Sequence, residues 1–223
     1  MNWQPLILTF QLAVVTTFLL ILVGIPLAAW LSSTRSRMKP VIETLVSMPL
    51  VLPPTVLGFY LLVAFSPGNA VGSWLDKVFG LQLIFSFEGL VFASMIYSLP
   101  FMVHPIQSGL SSLPKTYSQA SYLLGKSKFT TLIKVLLPNI KPSIITGVVL
   151  AFAHTIGEFG VVLMIGGNIP GETKVASIAI YDEVEALNYA GANTYSFILF
   201  ATTFAILLSV YVTNHAYLKK SLI

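Results

Sequence analysis

The chain has 223 residues, of which 56 % are hydrophobic and 9 % charged, with a mean hydropathy of +0.86; that balance excludes a soluble domain filling one core and requires a membrane. It contains no cysteine, which excludes a disulfide framework, a thiolate metal site and a cysteine nucleophile. A net charge of +4 would point to nucleic acid in a soluble chain, but here the placement of the charges decides their meaning and nucleic acid is not an expected partner.

Five segments reach the roughly 20 apolar residues needed to cross a bilayer. Helices are required, because lipid offers the backbone no other partner and the alternation of barrel strands is absent. The expected fold is therefore an all-α integral membrane bundle of about five transmembrane helices, one transmembrane domain over residues 1–223. The first span, residues 6–31, is too long for a signal-peptide core and lacks a basic leader, so it is expected to be retained. The second, residues 41–65, carries Pro49, Pro53 and Pro54, each costing roughly 3 kcal/mol in a helix interior. Such a span persists only where neighbours or a wet cavity satisfy the freed carbonyls. Pro53, Pro54 and Thr55 are thus expected to line a translocation path or gate, against the plainer reading of a buried kink. Residues 66–87 form an outer loop with no decisive signal, and residues 89–110 form the third span.

Residues 114–138 are the longest stretch that is not oily, and they hold Lys115, Lys126, Lys128 and Lys134. Two short helices are expected: Pro114 suits a first turn, Gly125 a position just past a helix end, and Pro138 a stop. Tyr117, Ala120, Ser121 and Leu124 share one face, as do Phe129, Leu132, Ile133 and Leu136. A short amphipathic helix of this kind suits docking into a groove on a soluble partner; the alternative is a basic loop lying on anionic lipid headgroups.

The fourth span, residues 144–165, places His154, Thr155 and Glu158 at membrane depth, where ionisable groups are rare and face a bundle interior or cavity. His154 and Glu158 are read as a gate or a helix-packing pair rather than an anion ligand, because a carboxylate repels an anion. Gly157 and Gly160 leave space for a neighbouring helix. An outer loop of residues 167–194 is expected to hold a partly buried helix over 175–190, with an apolar stripe of Ala176, Ile180, Val184 and Leu187. That helix either receives a delivery protein or caps the bundle. Residues 195–216 are the fifth span.

Ten of the twelve lysines and arginines, among them Arg35, Arg37, Lys39, Lys141, Lys219 and Lys220, fall on the side of the 114–138 loop. The loop and the C-terminus are therefore expected in the cytoplasm and the N-terminus outside. No Gly-rich nucleotide loop of the G-x-x-x-x-G-K-[ST] type is present, so no ATP chemistry is expected in this chain. The sequence H-T-I-G-E at His154 lacks the second histidine of a zinc protease helix, and no catalytic or metal-binding set is expected. A secondary transporter would use Glu158 as its one intramembrane acid.

The 114–138 loop resembles the signature loop of importer-type ABC transporter permeases, with matching positions at Gln119, Ala120, Ser121, Gly125, Val135, Leu137 and Pro138. Its spacing is intact, while Gln119 replaces an acid, Ser121 an alanine and Val135 an isoleucine. Residues 48–62 (MPLVLPPTVLGFYLL) and 154–174 (HTIGEFGVVLMIGGNIPGETK) are similar to the molybdate branch, with sulfate permeases sharing a looser version and tungstate not separated. The resemblance implies an oxyanion importer in the bacterial inner membrane. It implies a homodimer of this chain in membrane lipid and two ATP-binding subunits that carry ATP and Mg on the cytoplasmic side. An extracytoplasmic anion-binding protein would deliver the substrate. It also implies that Gln119, Ala120, Ser121, Gly125, Leu137 and Pro138 couple to the ATPase, with no cofactor in this chain.

Overall fold

Proline placement decides where this apolar chain is helical and where it is not. The computed structural model describes residues 2–220, with side chains through residue 212, so the charge reading on Lys219 and Lys220 lies outside the described side chains. Among the described residues all regular structure is helical. Helix α1 (Gln4–Ser33) opens with Pro5 in its first turn, where the missing N–H costs nothing. It spans about 45 Å at 1.5 Å per residue.

Helices α2 (Lys39–Val51) and α3 (Pro54–Phe65) replace the single span read over residues 41–65, and they meet at 115°. The break sits at the double proline. A residue before proline is pushed out of the helical region, and both such residues are extended here, Leu52 at ψ 136° and Pro53 at ψ 135°. Pro49 breaks nothing and stays inside α2. The outer loop read over residues 66–87 holds α4 (Ala70–Phe79), closed by Gly80 in the left-handed region with Lys77 in the last turn.

Helix α5 (Phe87–Ser112) is capped by the Ser86 hydroxyl, which accepts the Gly89 N–H at 3.1 Å, with Glu88 in its first turn. That cap and the acid both complement the exposed N–H groups of a helix start. The 114–138 loop follows as α6 (Thr116–Leu123), α7 (Lys128–Thr131), a π turn (Leu132–Leu136) and α8 (Leu137–Asn139). Pro138 does not stop the second helix, contrary to its reading as a terminator. The wider π turn, with the Leu137 N–H on the Leu132 carbonyl, carries the chain past the proline until Ile140 leaves the helical region.

Helix α9 (Lys141–Ile156) ends before Glu158, and α10 (Gly160–Gly166) restarts after it. The fourth span is thus a broken helix rather than one run over residues 144–165. Helix α11 (Ala176–Glu185) is shorter than the helix read over 175–190, because Leu187 turns the chain at φ +56°. Its stripe is corrected too: Ala176 and Ala179 are buried, whereas Val184 and Leu187 are exposed. Helix α12 (Tyr189–Lys220) begins inside the stretch read as loop. Among the described residues three helices are long and apolar enough to cross a membrane, or five if two bent pairs each count as one span: α2 with α3, and Lys128–Asn139 with α9 at 82°.

Helices α1, α5 and α9 pack closely because glycines face their neighbours. A Cβ on Gly24 would lie 2.7 Å from the Met102 side chain, one on Gly109 2.4 Å from Ser143 Oγ, and one on Gly147 3.0 Å from the Met102 carbonyl oxygen. Small residues at such crossings are what lets backbones approach inside a membrane, where no hydrophobic drive joins helices. One apolar cluster gathers Leu12, Leu90, Val161 and Ile165, the other Leu20, Leu31, Met102 and Ile106.

Gly147→Leu is expected to cost about 1–3 kcal/mol through overpacking and to lower the thermal unfolding midpoint in detergent. Gly68→Ala, where the nearest atom lies 4.0 Å from a new Cβ, should leave the midpoint alone. Equal midpoints for the two variants would show that the α5–α9 approach does not support the fold.

Candidate functional site

Two breaks in two helices meet inside the bundle. The start of α3 and the start of α10 pack so closely that a Cβ on Gly160 would lie 2.9 Å from Pro54 Cβ and 3.3 Å from the Thr55 nitrogen. One turn on, a Cβ on Gly58 would lie 2.8 Å from Met164 Cβ and 3.1 Å from Val161 Cα. Pro54 and Thr55 are therefore brought against the segment that carries Glu158, while Pro53, Pro54 and Thr55 each keep an exposed side.

Glu158 itself is 3 % exposed and sits just beyond the end of α9. Its carboxylate accepts a short hydrogen bond from the Ser94 hydroxyl and a longer one, 3.4 Å, from Ser98 on α5. Its carbonyl accepts the Ser177 hydroxyl of α11. Thr155 Oγ1 donates to the Ala151 carbonyl at 2.9 Å and can then accept from Ser98, also at 2.9 Å. His154 Nδ1 lies 2.9 Å from Ser98 Oγ and can donate to it, which leaves the one Ser98 proton divided between Thr155 Oγ1 and the more distant Glu158 carboxylate.

The helical spacing of His154 and Glu158 pairs them on one face. In the structure Nδ1 and Oε1 are 3.9 Å apart, and Ser98 stands between them as the partner of both. The imidazole is stacked on Phe101 with centroids 4.1 Å apart and tilted against Tyr97 at 4.7 Å. The cluster therefore ties α5, the end of α9, the break that follows it and α11 through hydroxyls, and it offers a passing anion no fixed positive charge. Ser94 and Ser98 were missed, although two serines four apart in an apolar span are a readable signal.

A second polar group was also missed. Gln107 Nε2 donates to Glu43 Oε1 at 2.6 Å, and Ser47 Oγ lies 3.2 Å from His104 Nε2. These residues join α2 to α5 beside a groove of about 390 Å³ lined by Glu43, His104, Gln107, Ser108 and Ser111.

The 114–138 loop presents the opposite kind of surface. Gly125 holds φ +71°, and no atom lies within 4 Å of the point a Cβ would occupy; this is the conformation that glycine supplies at a helix end. Gln119 and Ala120 are exposed, while Ser121 is buried and shares a 2.8 Å hydrogen bond with Thr131 Oγ1. Leu123 is 89 % exposed, Leu124 76 % and Phe129 74 %. Leu132, Leu136 and Leu137 turn inward against the second apolar cluster, and Pro138 is exposed. The predicted face of Phe129, Leu132, Ile133 and Leu136 is thus split, with Phe129 and Ile133 outward.

The family described as binding-protein-dependent transport system inner membrane component matches this chain over residues 8–220. The molybdenum transport system permease protein ModB of Azotobacter vinelandii is 46 % identical over 205 residues, 92 % of this chain and 90 % of its own length. The sulfate transport system permease protein CysT of Escherichia coli (strain K12) is 32 % identical over 186 residues, 82 % of this chain and 66 % of its own. Among solved structures, the MetNI methionine ABC transporter in inward-facing conformations matches with a TM-score of 0.73. That match holds at 16 % identity over 95 % of this chain and 94 % of the other, a likeness of fold.

Glu158→Ala leaves the Ser94 hydroxyl without its acceptor and should cost about 1–3 kcal/mol, read as a lower unfolding midpoint. Glu158→Gln keeps an acceptor oxygen and should lose less than half of that. Equal losses would mean that the hydroxyl cluster does not hold the junction.

Proposed function

The chain belongs to the family of binding-protein-dependent transport system inner membrane components, and from that premise we propose that it is the membrane-spanning permease subunit of an ATP-driven molybdate importer in the bacterial inner membrane. Two copies form an alternating-access path for the oxyanion. Two separate ATP-binding subunits hold ATP and Mg at the cytoplasmic face, where the loop and the C-terminus lie, and an extracytoplasmic binding protein delivers the anion to the opposite face. This chain performs no chemistry on ATP or on the anion.

The observation that carries the reading is the exposed helix α6. Leu123 at its end and Leu124 just beyond it are largely exposed within the chain, while its inward serine is bonded to Thr131. That combination suits a helix whose free face docks in a groove on a partner. From Thr131 the chain continues through the π turn and α8 into α9, whose far end carries Thr155 next to Glu158. Closure of the ATP-binding subunits would draw the two α6 helices together. Helix α9 then passes the displacement to the junction where Gly160 meets Pro54. High affinity and selectivity fall to the binding protein, because the junction holds hydroxyls and backbone dipoles but no cation.

Molybdate is favoured by the relation to the Azotobacter vinelandii permease. Sulfate is the second reading, supported by the similarity to CysT.

The test is ATPase activity of the chain co-purified with its ATP-binding partner in lipid, with binding protein loaded with molybdate, tungstate or sulfate. Gly125→Trp fits the open space but strains a left-handed residue, at a cost of roughly 1–2 kcal/mol. It should reduce stimulation by loaded binding protein on the order of tenfold or more, equivalent to about 1.4 kcal/mol of lost coupling. Wild-type stimulation by the folded variant would make the loop a plain connector and bring an ATP-independent transporter forward. Stimulation by sulfate but not molybdate would transfer the chain to the sulfate reading.

A further inference from the structure

The ends of α1 and α5 and the inner face of α6 enclose a cavity of about 810 Å³. Arg35, Lys115 and Lys128 line it, and no carboxylate does. Among the described residues none of these three cations forms an ion pair. Glu43, which lines the adjoining groove, is already engaged by Lys39 at 3.8 Å and by Gln107 at 2.6 Å. Three like charges converging on one cavity without a counter-ion create a field that concentrates anions.

The hydroxyls of the cavity narrow what it takes. Ser32 donates to the Ala29 carbonyl at 2.8 Å, Ser33 to the same carbonyl at 2.9 Å, and Ser118 to the Lys115 carbonyl at 2.9 Å. These groups satisfy their own helices, so the donors left for an anion are the cations, the Trp30 indole N–H and the hydroxyls of Thr34, Ser111 and Tyr122. The floor is different in kind: Leu110, Leu132 and Leu136 are apolar, and Trp30 closes one side. Indole rings settle at the headgroup level of a bilayer, and basic pockets between membrane helices favour anionic headgroups.

A cationic, aromatic rim over an apolar floor is the pattern of an amphiphile. We propose that this cavity binds the phosphate headgroup of an anionic phospholipid, with the start of one acyl chain against Leu110, Leu132 and Leu136. Free phosphate or molybdate shares the charge but has nothing to place on the floor. A lipid seated there touches α1, α5 and α6 together, so it braces the coupling helix against the span that precedes it. Only the leaflet that supplies the lipid rests on the cytoplasmic placement of the loop proposed above.

The test uses the whole transporter, purified from nanodiscs of phosphatidylcholine with or without phosphatidylglycerol, and counts retained lipids by native mass spectrometry. Wild type should retain phosphatidylglycerol over phosphatidylcholine by at least about tenfold, and Arg35→Gln with Lys115→Gln and Lys128→Gln should abolish the preference. Arg35→Lys with Lys128→Arg keeps the charge and should keep the preference, which guards against a variant that merely misfolds. Equal retention of the two lipids by wild type overturns the proposal. So does displacement of phosphatidylglycerol by millimolar inorganic phosphate or molybdate, which would mark a soluble-anion site. Stimulation by loaded binding protein is measured on the same samples. Lost lipid preference with normal stimulation removes the lipid site alone, and normal preference without stimulation removes the coupling reading alone.

Discussion

A backbone N–H or C=O left unpaired at membrane depth costs several kcal/mol, roughly as much as the net stability of many small domains, and everything distinctive in this fold follows from meeting that constraint at two helix breaks. At the first, the Pro53 carbonyl takes the N–H groups of Val56 and Leu57 at 2.9 and 3.2 Å. At the second, the Gly157 N–H reaches back to Ala153 and His154, and the Glu158 carbonyl is met by a serine from α11. Each break is then covered by the other, Gly160 against Pro54 and Thr55. Neither break would survive facing lipid, so a chain with two of them has reason to place them together.

The same logic explains why the buried acid is held as it is. Glu158 has no lysine or arginine partner, and its carboxylate is met by two serine hydroxyls of α5. A cation there would satisfy the acid more strongly but would also offer a fixed charge to any passing oxyanion. Hydroxyls and a stacked imidazole keep the junction polar without making it a trap. In an importer, tight binding along the path slows release, so a polar lining without a fixed cation is consistent with the proposed cycle.

Much of this was readable from residue order. Long apolar runs located α1, α5 and α12 because length in a bilayer leaves little choice. Gly125 announced its left-handed turn, and the loop spacing announced α6. What residue order did not disclose were partners from distant elements. Ser98 acquires its role only when α5 lies beside α9, and Gln107 only when α2 lies beside α5. Prolines were ambiguous for a local reason: Pro49 stays within a helix, Pro53 followed by Pro54 breaks one, and Pro138 is absorbed by a wider turn. The apolar face read across Phe129 to Leu136 assumed a uniform 3.6-residue period, which the π turn interrupts. The unread α4 is short, amphipathic and exposed, and its signals, Asn69 ahead and Gly80 behind, are ones that ordinary loops also carry.

The π turn over Leu132–Leu136, together with the 82° bend that follows it, sets the phase between the coupling segment and α9. A π turn spends one residue more than an α turn for the same advance, and one residue corresponds to about 100° of rotation. For a given bend at Ile140, the outward bearing of Phe129 relative to α9 therefore depends on a single surplus residue. Converting that turn to regular α-helix would swing the docking face about a quarter of the way around the bundle without lengthening any span. Two permeases with identical spans and identical loop residues would then present themselves to their ATP-binding subunits from different directions.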